Sequence, residues 1–88
     1  MSVFMVERDL KGISIDALGG AQKAAIGKAK EMSALGTEIK YIRSTFAPDD
    51  GRCMCLFEAG SSEAVKKLND DAGLPYQKIV KALDLTPA

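Results

Sequence analysis

The chain contains no histidine, and it has only two cysteines among its 88 residues. Histidine is the commonest general base near neutral pH and the commonest metal ligand in proteins. Its absence excludes Ser-His-Asp and Cys-His catalysis, and it excludes carboxylate–histidine metal sites built within one chain. Acid–base or metal chemistry in this protein would therefore have to use carboxylates or thiols.

An excess of either charge is also missing, because 12 lysines and arginines balance 12 aspartates and glutamates. The chain thus lacks the excess of positive charge that favours binding to nucleic acid or to an anionic membrane. No apolar run approaches the roughly 18 residues of a membrane span. Charged residues at positions 7–9 come too early for the apolar core of a signal peptide. We expect a cytoplasmic protein with reduced cysteines, without nucleic-acid or membrane partners.

Six segments of regular structure are predicted within one domain, residues 1–88, in the order β-α-β-β-α-β. They are a strand at 2–8, a helix at 15–35, a hairpin of strands at 37–47 and 52–58, a helix capped by Ser61 or Ser62 and ended by Gly73, and a strand at 76–83. This order is the split βαβ of ferredoxin-like folds. It predicts an α+β protein with a four-stranded antiparallel sheet and both helices on one face.

Alternation along the hairpin strands predicts which side chains share a face of the sheet. In the first strand of the hairpin, Ile39, Tyr41 and Arg43 are expected on one face, with Lys40, Ile42, Ser44 and Phe46 on the other. In the second, Cys53, Cys55 and Phe57 oppose Met54 and Leu56. Both faces are therefore apolar near the centre of the sheet, although one face has no helix to cover it. This pattern favours a homodimer through the open face over a monomer with scattered exposed apolar side chains.

The two cysteines are the main candidates for a functional site. Cys53 and Cys55 share a face, about 7 Å apart along a strand, a spacing that suits a soft metal ion if other ligands converge. Cysteine is also among the most buried residue types, so packing in the core, contact with a ligand and redox chemistry remain as interpretations. Glu58, at the end of the same strand, is a candidate ligand or base. Arg8 is a candidate for binding an anion across the sheet or for an ordinary ion pair.

The segment RSTFAPDDGRCMCLFEAGSSEAVKKLNDDAGLPYQKI resembles a small bacterial family of unknown function whose characterised example is a nickel-binding protein. Its most specific pieces are Cys55-x-x-Glu58-Ala59 and the sequence Ala-Gly-Leu-Pro at 72–75. The resemblance implies a ferredoxin-like fold within the dimeric α+β barrel superfamily. It also implies nickel or another soft metal as a cofactor, bound by histidines together with the family cysteine and carboxylates. Cys55, Glu58 and Arg8 match this pattern, whereas the histidines have no counterpart in this chain.

Together these observations predict a small homodimeric binding protein. The predicted ligand-binding residues are Cys55, Glu58 and Arg8, and the predicted metal ligands are Cys53, Cys55 and Glu58. Two alternatives remain: a cofactor-free enzyme of the dimeric α+β barrel type, similar to monooxygenases, and a purely structural or interaction module with inert cysteines.

Overall fold

The computed structural model describes residues 1–87. Its elements are β1 (Ser2–Asp9), α1 (Ile15–Ala34), β2 (Ile39–Ala47), β3 (Arg52–Ala59), α2 (Ser62–Asp71) and β4 (Lys78–Ala82). The four strands form one antiparallel sheet in the order β2-β3-β1-β4, and both helices pack on one face of it. The predicted ferredoxin-like α+β fold is therefore confirmed.

Both helices begin at a serine that caps the first turn. Ser14 Oγ accepts a hydrogen bond from the backbone N–H of Ala17 at 3.1 Å, and Ser61 Oγ accepts one from Ala64 at 3.2 Å. Each cap satisfies an amide that the helix itself leaves without a partner. The second helix is thus capped by Ser61, the first of the two serines that the sequence offered.

The core lies between the helices and the covered face of the sheet. Its largest fully buried side chains include Phe57 and Val6 from the strands and Leu68 and Val65 from α2. Helix α1 contributes small residues, with Ala25 and Ala29 buried. Because alanine side chains are short, they let α1 approach the sheet closely, and its longer polar side chains stay in water.

The predicted facing of β2 is wrong in its second half. Its pairing with β3 shifts register between Tyr41 and Arg43, as in a β-bulge. One extra residue reverses the alternation beyond it. As a result, Ser44 and Phe46 lie on the covered face together with Ile39 and Tyr41, and Arg43 lies on the open face.

The last strand is shorter than the predicted segment 76–83. The hydroxyl of Tyr76 donates a hydrogen bond to Asp70 on α2 at 2.8 Å, so this residue packs against the helix before the strand begins. The amide of Gln77 donates to the carbonyl of Glu7 at 2.7 Å, and the pairing with β1 starts from there. Across residues 1–87, no helix is long and apolar enough to cross a membrane.

Candidate ligand-binding site

A cavity of about 150 Å³ lies between α1 and the covered face of the sheet. Its apolar lining comes from both layers and from the loops after β1 and before β4: Leu10, Leu18, Ala21, Ala25, Phe46 and Leu74. Its polar lining is Arg8, Gln22, Tyr41, Ser44, Cys53 and Cys55, and all of these except Gln22 lie on strands. The cavity is therefore mostly apolar, with its polar groups gathered on the sheet.

Among residues 1–87, Arg8 is the only charged residue that lines this cavity. Its side chain is only 5% exposed. Its Nε donates to Cys55 Sγ at 3.4 Å, and its Nη1 donates to the carbonyl of Pro75 at 3.0 Å. Within residues 1–87, no carboxylate forms an ion pair with it. This guanidinium is therefore a buried cation that hydrogen-bonds to a sulfur and a carbonyl and has no carboxylate partner within residues 1–87.

A chain of hydrogen bonds runs from α1 to the same sulfur. Gln22 Nε2 donates to the hydroxyl of Tyr41 at 3.0 Å, and this hydroxyl lies 2.5 Å from Ser44 Oγ. Ser44 Oγ then donates to Cys55 Sγ at 2.9 Å. The bulge in β2 makes this chain possible, because it places Ser44 on the same face as Tyr41.

The two thiols are free and buried, with their sulfurs 3.9 Å apart. Burial, together with the neighbouring Cys55, raises the pKa of the Cys53 thiol to about 11, and the charge of Arg8 opposes this increase only in part. Cys53 therefore stays protonated at neutral pH. Of the two sulfurs, Cys55 Sγ is the one that accepts hydrogen bonds from Arg8 and Ser44.

The structure brings Arg8, Cys53 and Cys55 together, but it separates Glu58 from them. Cys55 faces the cavity, whereas Glu58 lies on the open face, where its register partners are Val3 and Lys40. The reason is simple alternation: residues three apart on a regular strand point to opposite faces. The prediction that Cys55 and Glu58 share one pocket is therefore wrong.

The residues of this site do not fit a nickel ion. No group of three or more Cys, Asp or Glu side chains in the described part of the chain is placed to hold a metal, and the sequence has no histidine. The guanidinium that contacts Cys55 Sγ would also repel a cation at that sulfur. The predicted ligand set of Cys53, Cys55 and Glu58 is thus divided between two faces of the sheet.

Sequence reasoning missed Ser44 and Gln22 as members of the site. The bulge that redirects Ser44 has no clear signal in the sequence of β2. Gln22, in contrast, lies four residues after Leu18, and residues four apart share one face of a helix, so both line the cavity. Arg8 was predicted because it matches the family pattern and is placed on a strand from which it could bind an anion across the sheet.

The element order, the open antiparallel sheet and the cavity beneath α1 define a ferredoxin-like α+β protein with an internal site. The chain belongs to the family described as "Nickel responsive protein SCO4226-like", whose model matches residues 4–81. The crystal structure of SCO4226 from Streptomyces coelicolor A3(2) matches with a TM-score of 0.81 and 26% sequence identity, covering 97% of this chain and 100% of that one. No curated protein matches the chain significantly. The predicted family resemblance is confirmed.

Proposed function

We propose that this protein is a small-molecule-binding homodimer whose ligand occupies the cavity between α1 and the sheet. The observation that carries this proposal is the distribution of the lining: apolar side chains surround a wall of convergent hydrogen-bonding groups. Ligand sites in proteins combine these two features, because apolar area provides affinity and a few fixed polar groups provide orientation.

The size of the cavity limits the ligand to a small molecule. An apolar cavity of about 150 Å³ holds a molecule of the size of benzene, and this one has the same volume. The polar wall adds positions for one or two hydrogen-bonding groups on such a molecule. A nucleotide or a drug-sized ligand would require a larger site.

A homodimer through the open face is supported by the residues that the helices leave uncovered. Val80, Met5 and Leu56 are register partners that form an apolar row across the middle of this face. Charges of both signs lie around it, among them Glu7 paired with Arg52 and Lys78. A second copy related by a two-fold axis offers the same apolar row and a rim that also carries both signs. The formal net charge of zero adds no long-range repulsion.

Nickel does not form part of this proposal, because the donors that would bind it are not assembled. A carboxylate general base is not proposed either, since no Asp or Glu lines the cavity in the described part of the chain. Binding is the function that the remaining groups support: a fixed cation, hydroxyls and thiols facing an apolar space.

The proposal is tested with two benzene-sized probes, benzoate and benzamide, each titrated into ¹⁵N-labelled protein and followed by backbone amide chemical shifts. We expect saturable shifts for at least one probe, confined to the residues around the cavity. Ala21→Leu fills the cavity from its α1 wall and should abolish them. Ala24→Leu makes the same change on the exposed side of α1 and should leave binding intact. Shifts absent for both probes, or unaffected by Ala21→Leu, would overturn the proposal.

A further inference from the structure

We infer that the ligand of the cavity is a small anion, a carboxylate or a similar oxyanion, with Arg8 as its anchoring residue. This inference rests on the proposed function and adds the chemical class of the ligand. It follows from the state of the arginine side chain and from the charges around it.

A guanidinium withdrawn from water is costly unless an opposite charge or a full set of acceptors compensates it. Arg8 has the burial of a core residue, yet its acceptors are a sulfur, which is weak, and a single carbonyl. Within the described residues its Nη2 forms no hydrogen bond, and it is not among the fully enclosed atoms that lack a partner. The side chain therefore retains an accessible donor, and no carboxylate of residues 1–87 neutralises its charge.

The other charges of the site make this cation available to a ligand. The titratable or charged residues that line the cavity are Arg8, Tyr41, Cys53 and Cys55. The two acidic neighbours of Arg8 on β1, Glu7 and Asp9, lie on the open face. Glu7 binds Arg52 and Lys78 there, and Asp9 Oδ1 accepts a hydrogen bond from the amide of Lys11. Because no described residue that lines the cavity is a carboxylate, a ligand carboxylate there would face the positive charge of Arg8. Glu7, Asp9 and Asp50 line a separate depression that Arg8 also borders.

The geometry also suits a planar anion. Arginine presents paired N–H donors that match the two oxygens of a carboxylate. Nε donates to Cys55 Sγ and Nη1 donates to the carbonyl of Pro75, so the donors that remain for a ligand are Nη2 and the second N–H of Nη1. The apolar residues of the α1 wall would then cover the hydrocarbon part of a small organic acid.

One rival explanation uses a different counter-ion. If the thiol of Cys55 loses its proton, the thiolate itself neutralises Arg8, and the cavity then has no need of an anionic ligand. The two explanations differ in the Cys55→Ala variant. If a ligand provides the negative charge, both the wild type and Cys55→Ala bind an anionic probe more tightly than a neutral one. If the thiolate provides it, the wild type shows no such preference and only Cys55→Ala does.

Calorimetric titration of benzoate against benzamide, at neutral pH and low salt, tests the inference. The probes have nearly the same shape and differ in charge. We expect benzoate to bind about tenfold or more tightly, since a hydrogen bond to a charged group has at least that effect. The preference should vanish in Arg8→Met and persist in Arg52→Met, which removes the same charge from the exposed side chain of an arginine on the open face.

The outcomes separate the inference from the proposed function. Equal binding of the two probes would overturn the anion assignment and leave the binding cavity in place. A benzoate preference that arises only in Cys55→Ala would overturn it in favour of the thiolate. If Arg8→Met does not fold, as judged by circular dichroism, the comparison of the wild type with Cys55→Ala still decides the question.

Discussion

Arg8 on β1 and Cys55 on β3 are 47 residues apart in sequence, and their side chains meet with Nε 3.4 Å from Sγ. They are not direct register partners, because Arg8 pairs with Cys53 and Cys55 pairs with Val6. The arginine side chain therefore runs along the covered face of the sheet to reach the second cysteine. Two central strands therefore hold the cation, and the loop before β4 contributes the carbonyl of Pro75.

Substitution of Gly51 tests whether close contact with Lys11 holds the turn of the hairpin against the loop after β1. Its φ is +76°, and a Cβ at this position would lie 2.6 Å from the nitrogen and the Cβ of Lys11. Its carbonyl accepts a hydrogen bond from Leu10 at 2.7 Å, so the two segments are locked together. We expect Gly51→Ala to lower the free energy of unfolding by roughly 2–4 kcal/mol.

Gly73→Ala is the matched control for that measurement. Gly73 has a similar φ of +69°, but no atom lies within 4 Å of an added Cβ. Only the backbone strain then applies, and we expect a loss of about 1–2 kcal/mol in urea-induced unfolding. Equal losses in the two variants would show that contact with Lys11 does not constrain Gly51.

Cys53 should make the protein less stable at alkaline pH. Burial disfavours the thiolate and raises the pKa of Cys53 from its ordinary value of 9.0 to about 11 in the folded state. Between these two values the folded chain keeps a proton that the unfolded chain has released, so stability falls as pH rises from about 9. Urea unfolding of the wild type and Cys53→Ala at pH values from 7 to 10 measures the effect.

The Cys53→Ala variant should show a shallower decline over that range. The ion pairs of Lys66 and Lys67 with Asp70 and Asp71 are present in both proteins, so they cancel in the difference. Identical slopes in the two proteins would contradict the account of the Cys53 environment.

Asn69 is a fully buried polar residue of α2. Its Nδ2 donates to the carbonyl of Val65 at 2.8 Å, whereas its Oδ1 has no partner in the described part of the chain. An unsatisfied buried acceptor costs about 1–3 kcal/mol. We expect Asn69→Leu to leave thermal stability unchanged or to raise it, and Asn69→Asp to lower it strongly by burying a charge. Similar losses in both variants would indicate that Oδ1 is satisfied in solution.

The open face of the sheet should be the dimer interface. Leu56→Arg places a charge in the middle of its apolar row, and we expect this variant to be monomeric in light scattering coupled to size-exclusion chromatography. Leu35→Arg is the control, because Leu35 is 80% exposed at the end of α1, away from the sheet face. A wild-type monomer, or a Leu56→Arg dimer, would exclude this interface.

A further measurement is whether this chain binds nickel, since the family is described as nickel responsive. Because the thiols share one face with a guanidinium and Glu58 lies on the other, we expect native mass spectrometry of the reduced protein to show no stoichiometric nickel. Retention of a defined number of ions that is lost in Cys55→Ala would contradict the present account of the site.

The sequence predicts the order of elements well because each boundary has a local cause, such as the serine caps and the glycine after α2. It also places Arg8 and Cys55 correctly on strands. The bulge in β2 was missed because it arises from pairing between strands, and with it the contribution of Ser44. Glu58 was misplaced for a different reason. It was grouped with Cys55 because the two are close in sequence, although the alternation of the strand already places them on opposite faces.

The most direct test of the central claim is a crystal structure of the protein grown with benzoate. The account predicts the ring between α1 and the sheet, with the carboxylate within hydrogen-bonding distance of the Arg8 guanidinium. Benzoate bound only at the surface, or a collapsed cavity with Arg8 turned toward another partner, would contradict it.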